Sequence, residues 1–498
     1  MVLEIVNFTI SRTINTKRAF MHFVGRKQEL SRLKELLNKS TASLIVVRGR
    51  RRIGKSRLLE EFSKPYRFIR ISGLPPTSQT TSNSQKKEFA FQLSQIFGIP
   101  EIYADDWSIL FSILQMNIQS EKNKPTVVLL DEISWIGSKD PNFLGKLKNA
   151  WDIFFKNNEN FLFVLCGSAS YWIEKNILSS SGFLGRISQT LTLDELSVID
   201  STKFWQDFSG QISPFEKFKF LSVTGGIPKY LEEMDPKKSA EDNIKTICFS
   251  KGGLLVDEFH NIFSDLFLHN SEIYEKIVAA LSAGIKDLNK ICECINSSPN
   301  NKLSQYLSEL ECSGFIKREY IWHLSNGYDS KLSQFRLSDN YLRFYLKYMQ
   351  KHYEKIQQNQ FIFKSLTDLP EWYTILGLQF ENLVLNNRTC IHEQLGINPY
   401  DIVCANPFFQ KKNTKNPGCQ IDYLIQTKYN ILYLCEIKFS KRVIGLEVIN
   451  KMKTKVESLR KPKGMSCRTV LIHVNGVTKD LRENLFFTKI IDFSELLK

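Results

Sequence analysis

Hydrophobic and polar positions alternate between two periods along the first two hundred residues. Leu44-Ile-Val-Val47, Pro125-Thr-Val-Val-Leu-Leu-Asp131, Phe161-Leu-Phe-Val-Leu-Cys166 and Gln189-Thr-Leu-Thr-Leu193 are short apolar or β-branched runs, and the uninterrupted ones read as buried parallel strands. Residues 29–37 and Leu58-Leu-Glu-Glu-Phe62 repeat apolar positions at helical spacing on either side of the first run. An α/β domain with a parallel sheet is predicted. Further on, 271–281, 285–295 and 302–310 read as three helices, and 314–320 as a strand entering a hairpin; that order predicts a winged helix-turn-helix. The aromatic helix at 341–355 reads as core. Polar Gln357-Gln-Asn-Gln360 and the residues up to Pro370 read as an interdomain linker. Ile421–Ile425 and Ile431–Lys438 are β runs joined by a turn at 427–430.

Composition adds bounds. The 498 residues imply roughly three domains, and the 42% apolar and 24% charged fractions are those of ordinary globular proteins. No apolar run approaches the roughly 20 residues needed to span a bilayer, so no membrane partner is expected. A net charge of +15 favours a polyanionic partner, most simply nucleic acid, with DNA ahead of RNA. Ten scattered cysteines include no paired CxxC set, which suits reduced thiols in a cytoplasmic protein. Residues 1–20 carry Arg12, Lys17 and Arg18 against Glu4 with no apolar h-region; they read as a tail or an over-called start rather than a secretory signal.

The chemistry begins at Gly49-Arg50-Arg51-Arg52-Ile53-Gly54-Lys55-Ser56, which fits G-x-x-x-x-G-K-[ST] between a predicted strand and a predicted helix. Backbone N–H groups of this loop, continued by Arg57, would cradle phosphates at the helix N-terminus. Lys55 would reach the β/γ-phosphates and Ser56 would hold Mg²⁺. Asp131 and Glu132 end a strand, so Asp131 would support the Mg²⁺ shell and Glu132 would orient or deprotonate the attacking water. Ser168 closes the next strand as a candidate γ-phosphate sensor. Arg186 is a candidate for stabilising transition-state charge, in its own subunit or a neighbouring one, which leaves a homo-oligomer open.

The last 128 residues hold a second constellation. Hairpin geometry sets Asp422 roughly opposite Glu436, and Lys438 shares a strand face with Glu436. These carboxylates, with Glu381 from a preceding helix, are candidate Mg²⁺ ligands, and Lys438 would steady the attacking hydroxide. Residues 371–498 carry 19 Lys and Arg against 12 Asp and Glu, a net +7, which suits a phosphodiester.

Phe23-Val-Gly-Arg26, the phosphate loop, Leu-Leu-Asp-Glu, Cys-Gly-Ser, Gly185-Arg186 and Gly225-Gly-Ile-Pro-Lys-Tyr230 together resemble the predominantly archaeal ATPase family of the AAA+/STAND branch. The C-terminal region resembles the PD-(D/E)xK nuclease-like core, with Ile421 where the motif has Pro. The resemblance implies an ATPase core at 21–200, a helical lid at 201–268, a winged helix at 269–345, a linker helix at 346–370 and a nuclease-like domain at 371–498. Lys302, Ser304 and Gln305 would face DNA, with Lys317 and Arg318 near the wing, unless the winged helix serves protein contacts instead. The expected activity is ATP-dependent switching coupled to nucleic-acid binding or Mg²⁺-dependent cleavage; the alternative is a regulatory scaffold with a catalytically silent C-terminal domain.

Overall fold

A computed structural model describes residues 23–121, 124–168, 171–208, 210–266, 271–412 and 417–498. The tail read from residues 1–20 lies outside them. Five strands, β1 (Ser43–Gly49), β2 (Arg67–Ser72), β3 (Thr126–Asp131), β4 (Phe161–Ser168) and β5 (Ile187–Leu193), form a wholly parallel sheet in the order β2-β3-β4-β1-β5. The central strands are apolar at nearly every position because both faces are covered. Ile45, Val47, Val127, Leu129, Leu162 and Val164 face the Lys27–Leu37 and Lys55–Ser63 helices. Leu44, Val46, Val128, Leu130, Phe163 and Leu165 face the Ser82–Phe97, Trp107–Gln119 and Phe143–Ile153 helices. The insertion of β4 between β1 and β3 decides the site, since it brings three strand ends to one edge.

Short helices follow from 198 to 266. Helices Ser271–Ser282, Leu288–Cys294 and Asn301–Cys312 then precede the antiparallel hairpin β6 (Ile316–Trp322) and β7 (Asp329–Leu337), to which Lys286 adds a bridge at Phe335. The stretch read as a linker is part of the core: Met349, Ile356, Leu366 and Leu369 are buried, and Phe361 and Phe363 pack on Phe249. Its polar glutamines hid this, because apolar positions spaced this irregularly show no period. The C-terminal domain is a mixed sheet, order β12-β11-β10-β9-β8, of β8 (Ile402–Gln410), β9 (Cys419–Thr427), β10 (Ile431–Lys438), β11 (Ser466–His473) and β12 (Lys489–Asp492). β8, β9 and β10 are antiparallel neighbours, and β10 to β12 are parallel. Helix Trp372–Asn386 precedes these strands, and helix Glu447–Ser458 crosses between β10 and β11.

Candidate nucleotide site and C-terminal acidic cluster

The phosphate loop leaves the end of β1 and enters helix Lys55–Ser63. Gly54 caps that helix at φ +89°, a left-handed conformation that glycine adopts without a Cβ penalty. Lys55 is buried, and its Nζ donates to the carbonyls of Gly49 (3.0 Å) and Arg50 (3.1 Å). Ser56 Oγ donates to Asp131 Oδ2 at 2.9 Å, and Arg70 reaches the same oxygen at 2.7 Å. Gly49 and Ser168 are register partners on β1 and β4, and the Ser168 backbone N–H donates to the Glu132 carboxyl. Glu132 has φ +52°, and one of its carboxylate oxygens is buried without a partner among the described residues. Burial pushes that carboxyl up, Lys55 opposes the shift and Asp131 adds to it.

These residues open onto a cavity of about 620 Å³. Gly54, Lys55, Ser56, Glu132 and Ser168 line one part, and Phe23, Val24, Leu196, Phe204 and Pro228 supply apolar walls. The Gly225–Tyr230 signature reaches it through Pro228 and Lys229, with Glu232 beyond. Gly226 permits this approach: a Cβ there would stand 2.2 Å from the Leu196 carbonyl oxygen. Arg26 of the N-terminal motif donates to the carbonyls of Asp194 (2.6 Å) and Ile53 (3.3 Å), tying β5 to the loop. Sequence reasoning missed Leu196, Phe204 and Glu232; isolated residues in irregular turns carry no pattern. Mg²⁺ and phosphate fit the residues present: Ser56 Oγ already meets Asp131, and Arg51, Arg52 and Lys55 bring positive charge to the cavity wall.

The three loop arginines part company. Arg51, Arg52 and Arg57 line the cavity, but Arg50 does not. Arg50 turns to a second cavity of about 450 Å³ between the sheet, the β6–β7 hairpin and the C-terminal domain. There it pairs with Asp339 and, at 3.5 Å, with Glu195. Buried carboxylates therefore claim the charge of the Arg50 side chain, while its backbone remains part of the loop. Arg186 also departs from the expected position in its own subunit, forming a forked pair with Asp152 at 2.8 and 2.9 Å away from the nucleotide cavity lining.

In the C-terminal domain Cys435 pairs with Tyr423, which sets Glu436 opposite Asp422 as the hairpin reading requires. The cation between them is Lys455, from helix Glu447–Ser458: its Nζ lies 3.1 Å from Asp422 Oδ1 and 2.5 Å from Glu436 Oε2. Asp422 Oδ2 also accepts from the Ile437 amide at 2.9 Å. Burial alone would lower the Lys455 ammonium, but Asp422 and Glu436 hold it above its usual value. Glu381 is pushed up to about 7 by burial and then by Asp422, against Arg336, Arg343 and Lys455. Among the described residues no group of three or more His, Cys, Asp or Glu could hold a metal ion. Asp422, Glu436 and Glu381 thus do not fit the Mg²⁺ expected of them in this arrangement, because an ammonium fills the place between two of them. Lys438 is half-buried at the end of β10. Lys455 escaped sequence reasoning since it lies 17 residues beyond Lys438 on a separate element.

On the helix Asn301–Cys312, Lys302, Ser304 and Gln305 are exposed. The hairpin is engaged with its neighbours: Lys317 pairs with Asp194 at 3.3 Å, and Trp322 Nε1 donates to Gln426 at 2.6 Å. All ten cysteines are free. Among the described residues no helix is long and apolar enough to cross a membrane.

A parallel five-strand sheet, a phosphate loop after β1 and an acidic end to β3 are the parts of a P-loop ATPase domain. Residues 23–234 match the family described as an ATPase domain predominantly from Archaea, and the chain belongs to that family through this domain. An ATP-binding protein of Methanocaldococcus jannaschii is 42% identical over 50 residues, covering 10% of this chain and 85% of the relative. A second protein of that organism is 25% identical over 369 residues, 72% of this chain and 76% of the relative. The Walker-type ATPase of Pyrococcus abyssi aligns at a TM-score of 0.49 with 17% identity, over 65% of this chain and 96% of that one.

Proposed function

We propose that this chain is an ATP-hydrolysing switch whose output is a winged helix and a nuclease-like C-terminal domain that binds nucleic acid. The observation that carries the reading is the shared cavity, in which Lys55, Ser56 and Glu132 meet Pro228 and Lys229 of the lid. A nucleotide touching both gives the lid a differential contact with its phosphates, which is what a switch requires. Mg²⁺, when bound, would neutralise phosphate charge beside Ser56 and Asp131. Burial raises the Glu132 carboxyl above its ordinary range, which makes its carboxylate a stronger base towards water, and Ser168 would hydrogen-bond at the same strand edge. Arg186 would act on a neighbouring subunit, since in its own chain Asp152 holds it.

Residues 372–492 run as two helices, three strands, a helix, a strand, a short helix and a last strand, which supports a nuclease-like fold, and the basic helix carrying exposed Lys451 and Lys453 supports a polyanionic ligand. Lys455 between Asp422 and Glu436 favours the silent form of that domain over metal-dependent cleavage. The test pairs fluorescent ATP binding with DNA anisotropy and plasmid nicking in Mg²⁺, for wild type and Lys55→Ala. ATP binding lost in the variant, nucleotide-dependent DNA affinity and intact plasmid are expected. Undiminished ATP binding by Lys55→Ala would refute the nucleotide site, absence of DNA binding would refute the output, and cleavage lost in Asp422→Ala would restore the nuclease.

A further inference from the structure

The phosphate loop carries three consecutive arginines, and two of them lead out of the nucleotide site. Arg52 Nη2 lies 2.8 Å from Glu258 Oε2. Glu258 is fully buried, and its other oxygen accepts from Tyr230 Oη at 2.7 Å. Arg50 pairs with Glu195, whose Oε2 accepts from the Gly226 amide at 3.1 Å, and with Asp339, whose Oδ1 accepts from the Leu342 amide just after the hairpin. The loop therefore grips the lid signature near both ends, Gly226 through Arg50 and Tyr230 through Arg52. It also grips the corner where β7 enters the Asn340–Phe344 helix. We infer that Arg50 and Arg52 are positioning residues that couple the phosphate loop to the lid and to the β6–β7 hairpin module, rather than ligands of phosphate. The inference rests on ATP binding at residues 49–56.

Arg52 can transmit nucleotide state because it belongs to both sides. It lines the nucleotide cavity while its guanidinium holds Glu258, so phosphate charge entering the cavity loosens that pair through its field without taking Glu258's place on the guanidinium. Buried carboxylates left without their cation are costly, and Tyr230 and its motif must rearrange as that pairing weakens. Arg50 has no such view of the cavity; its buried pairs with Asp339 and Glu195, and its stacking over Phe315 at 5.2 Å, make it the fixed anchor.

Four full-length variants separate a latch from a phosphate site: Arg52→Met, Glu258→Gln, Asp339→Asn and Lys55→Ala. Glu258→Gln keeps an acceptor for Tyr230, and Asp339→Asn keeps the helix cap, so both perturb charge while sparing shape. The readouts are fluorescent-ATP affinity, turnover, and the change in trypsin cleavage rate of the lid on adding ATP. Affinity within about threefold of wild type is expected for Arg52→Met, Glu258→Gln and Asp339→Asn, with turnover down about tenfold or more and the nucleotide-dependent change in cleavage lost. The double variant Arg52→Met with Glu258→Gln should be no worse than either alone. Loss of ATP affinity in Arg52→Met matching Lys55→Ala, with wild-type behaviour in Glu258→Gln, would make Arg52 a phosphate ligand and overturn the inference. So would a lid whose cleavage in wild type is indifferent to ATP. Undiminished affinity in Lys55→Ala would instead strike the nucleotide site itself.

Discussion

Replacing Lys455 by methionine removes the cation from between Asp422 and Glu436 while keeping the length of the stem. At an effective dielectric of about 20, an ion pair near 3 Å is worth roughly 5 kcal/mol of attraction, and Lys455 makes two, at 3.1 and 2.5 Å. Desolvation cancels much of this, and removing one partner of a buried pair costs about 3–5 kcal/mol. Lys455 keeps 24% of its side chain exposed, so the low end, about 3 kcal/mol, is expected at pH 8. The loss should shrink towards pH 5. Burial and Asp422 hold Glu381 at about 7 and raise Glu436 above its ordinary range. The folded protein therefore binds more protons than the unfolded chain between about 4.5 and 7, and stability falls as pH rises through that window. Without Lys455 these carboxyls rise further, so the variant's fall is steeper. Hydrogen exchange at the β9 and β10 amides, including Ile437, measures local opening without assuming that a multidomain chain unfolds in one step. About a hundredfold faster exchange at pH 8, and less than tenfold at pH 5, is expected. An equal loss at both pH values, or none, would refute the electrostatic account.

Glu132→Gln should leave ATP affinity unchanged and lower single-turnover hydrolysis by about a hundredfold, read by phosphate release. Gly226→Ala drives a Cβ to 2.2 Å from the Leu196 carbonyl oxygen; the backbone must shift, and a destabilisation of about 2 kcal/mol or more is expected by calorimetry, with weaker ATP binding because Pro228 moves too. Arg186→Ala loses a solvent-screened pair with Asp152, so its melting temperature should hold while turnover falls; adding Lys55→Ala chains, which keep Arg186, should restore it if the residue serves a neighbour. Glu381→Gln removes the group held at about 7 and should flatten the pH dependence of C-terminal stability between about 5 and 7, checked by thermal melts across that range.

Much of the ATPase domain is legible because its determinants are local. A phosphate loop needs a strand, two glycines, a lysine and a hydroxyl within eight residues, and covered parallel strands must be apolar throughout. Hairpin geometry likewise made the Asp422–Glu436 pairing readable, since a three-residue turn leaves little freedom of register. The apolar end of the nucleotide cavity was not legible. Phe204 lies in the short 3-10 helix Lys203–Phe208 and Leu196 in the connection after β5, neither long enough to show a period, and only tertiary packing brings them to Pro228.

Sequence by itself determined the phosphate-loop motif between a strand and a helix, the acidic end of β3, and the excess of basic residues in the C-terminal region. Tertiary structure decided where charge goes. Arg50 and Lys55 lie five residues apart, yet one pairs with Asp339 and the other stays in the phosphate loop; Lys455, not Lys438, sits between the carboxylates. Motif letters follow from backbone geometry, which is short-range. Ion pairing in a buried site depends on which distant element supplies the opposite charge at about 3 Å, and burial raises the cost of leaving any such charge unmatched.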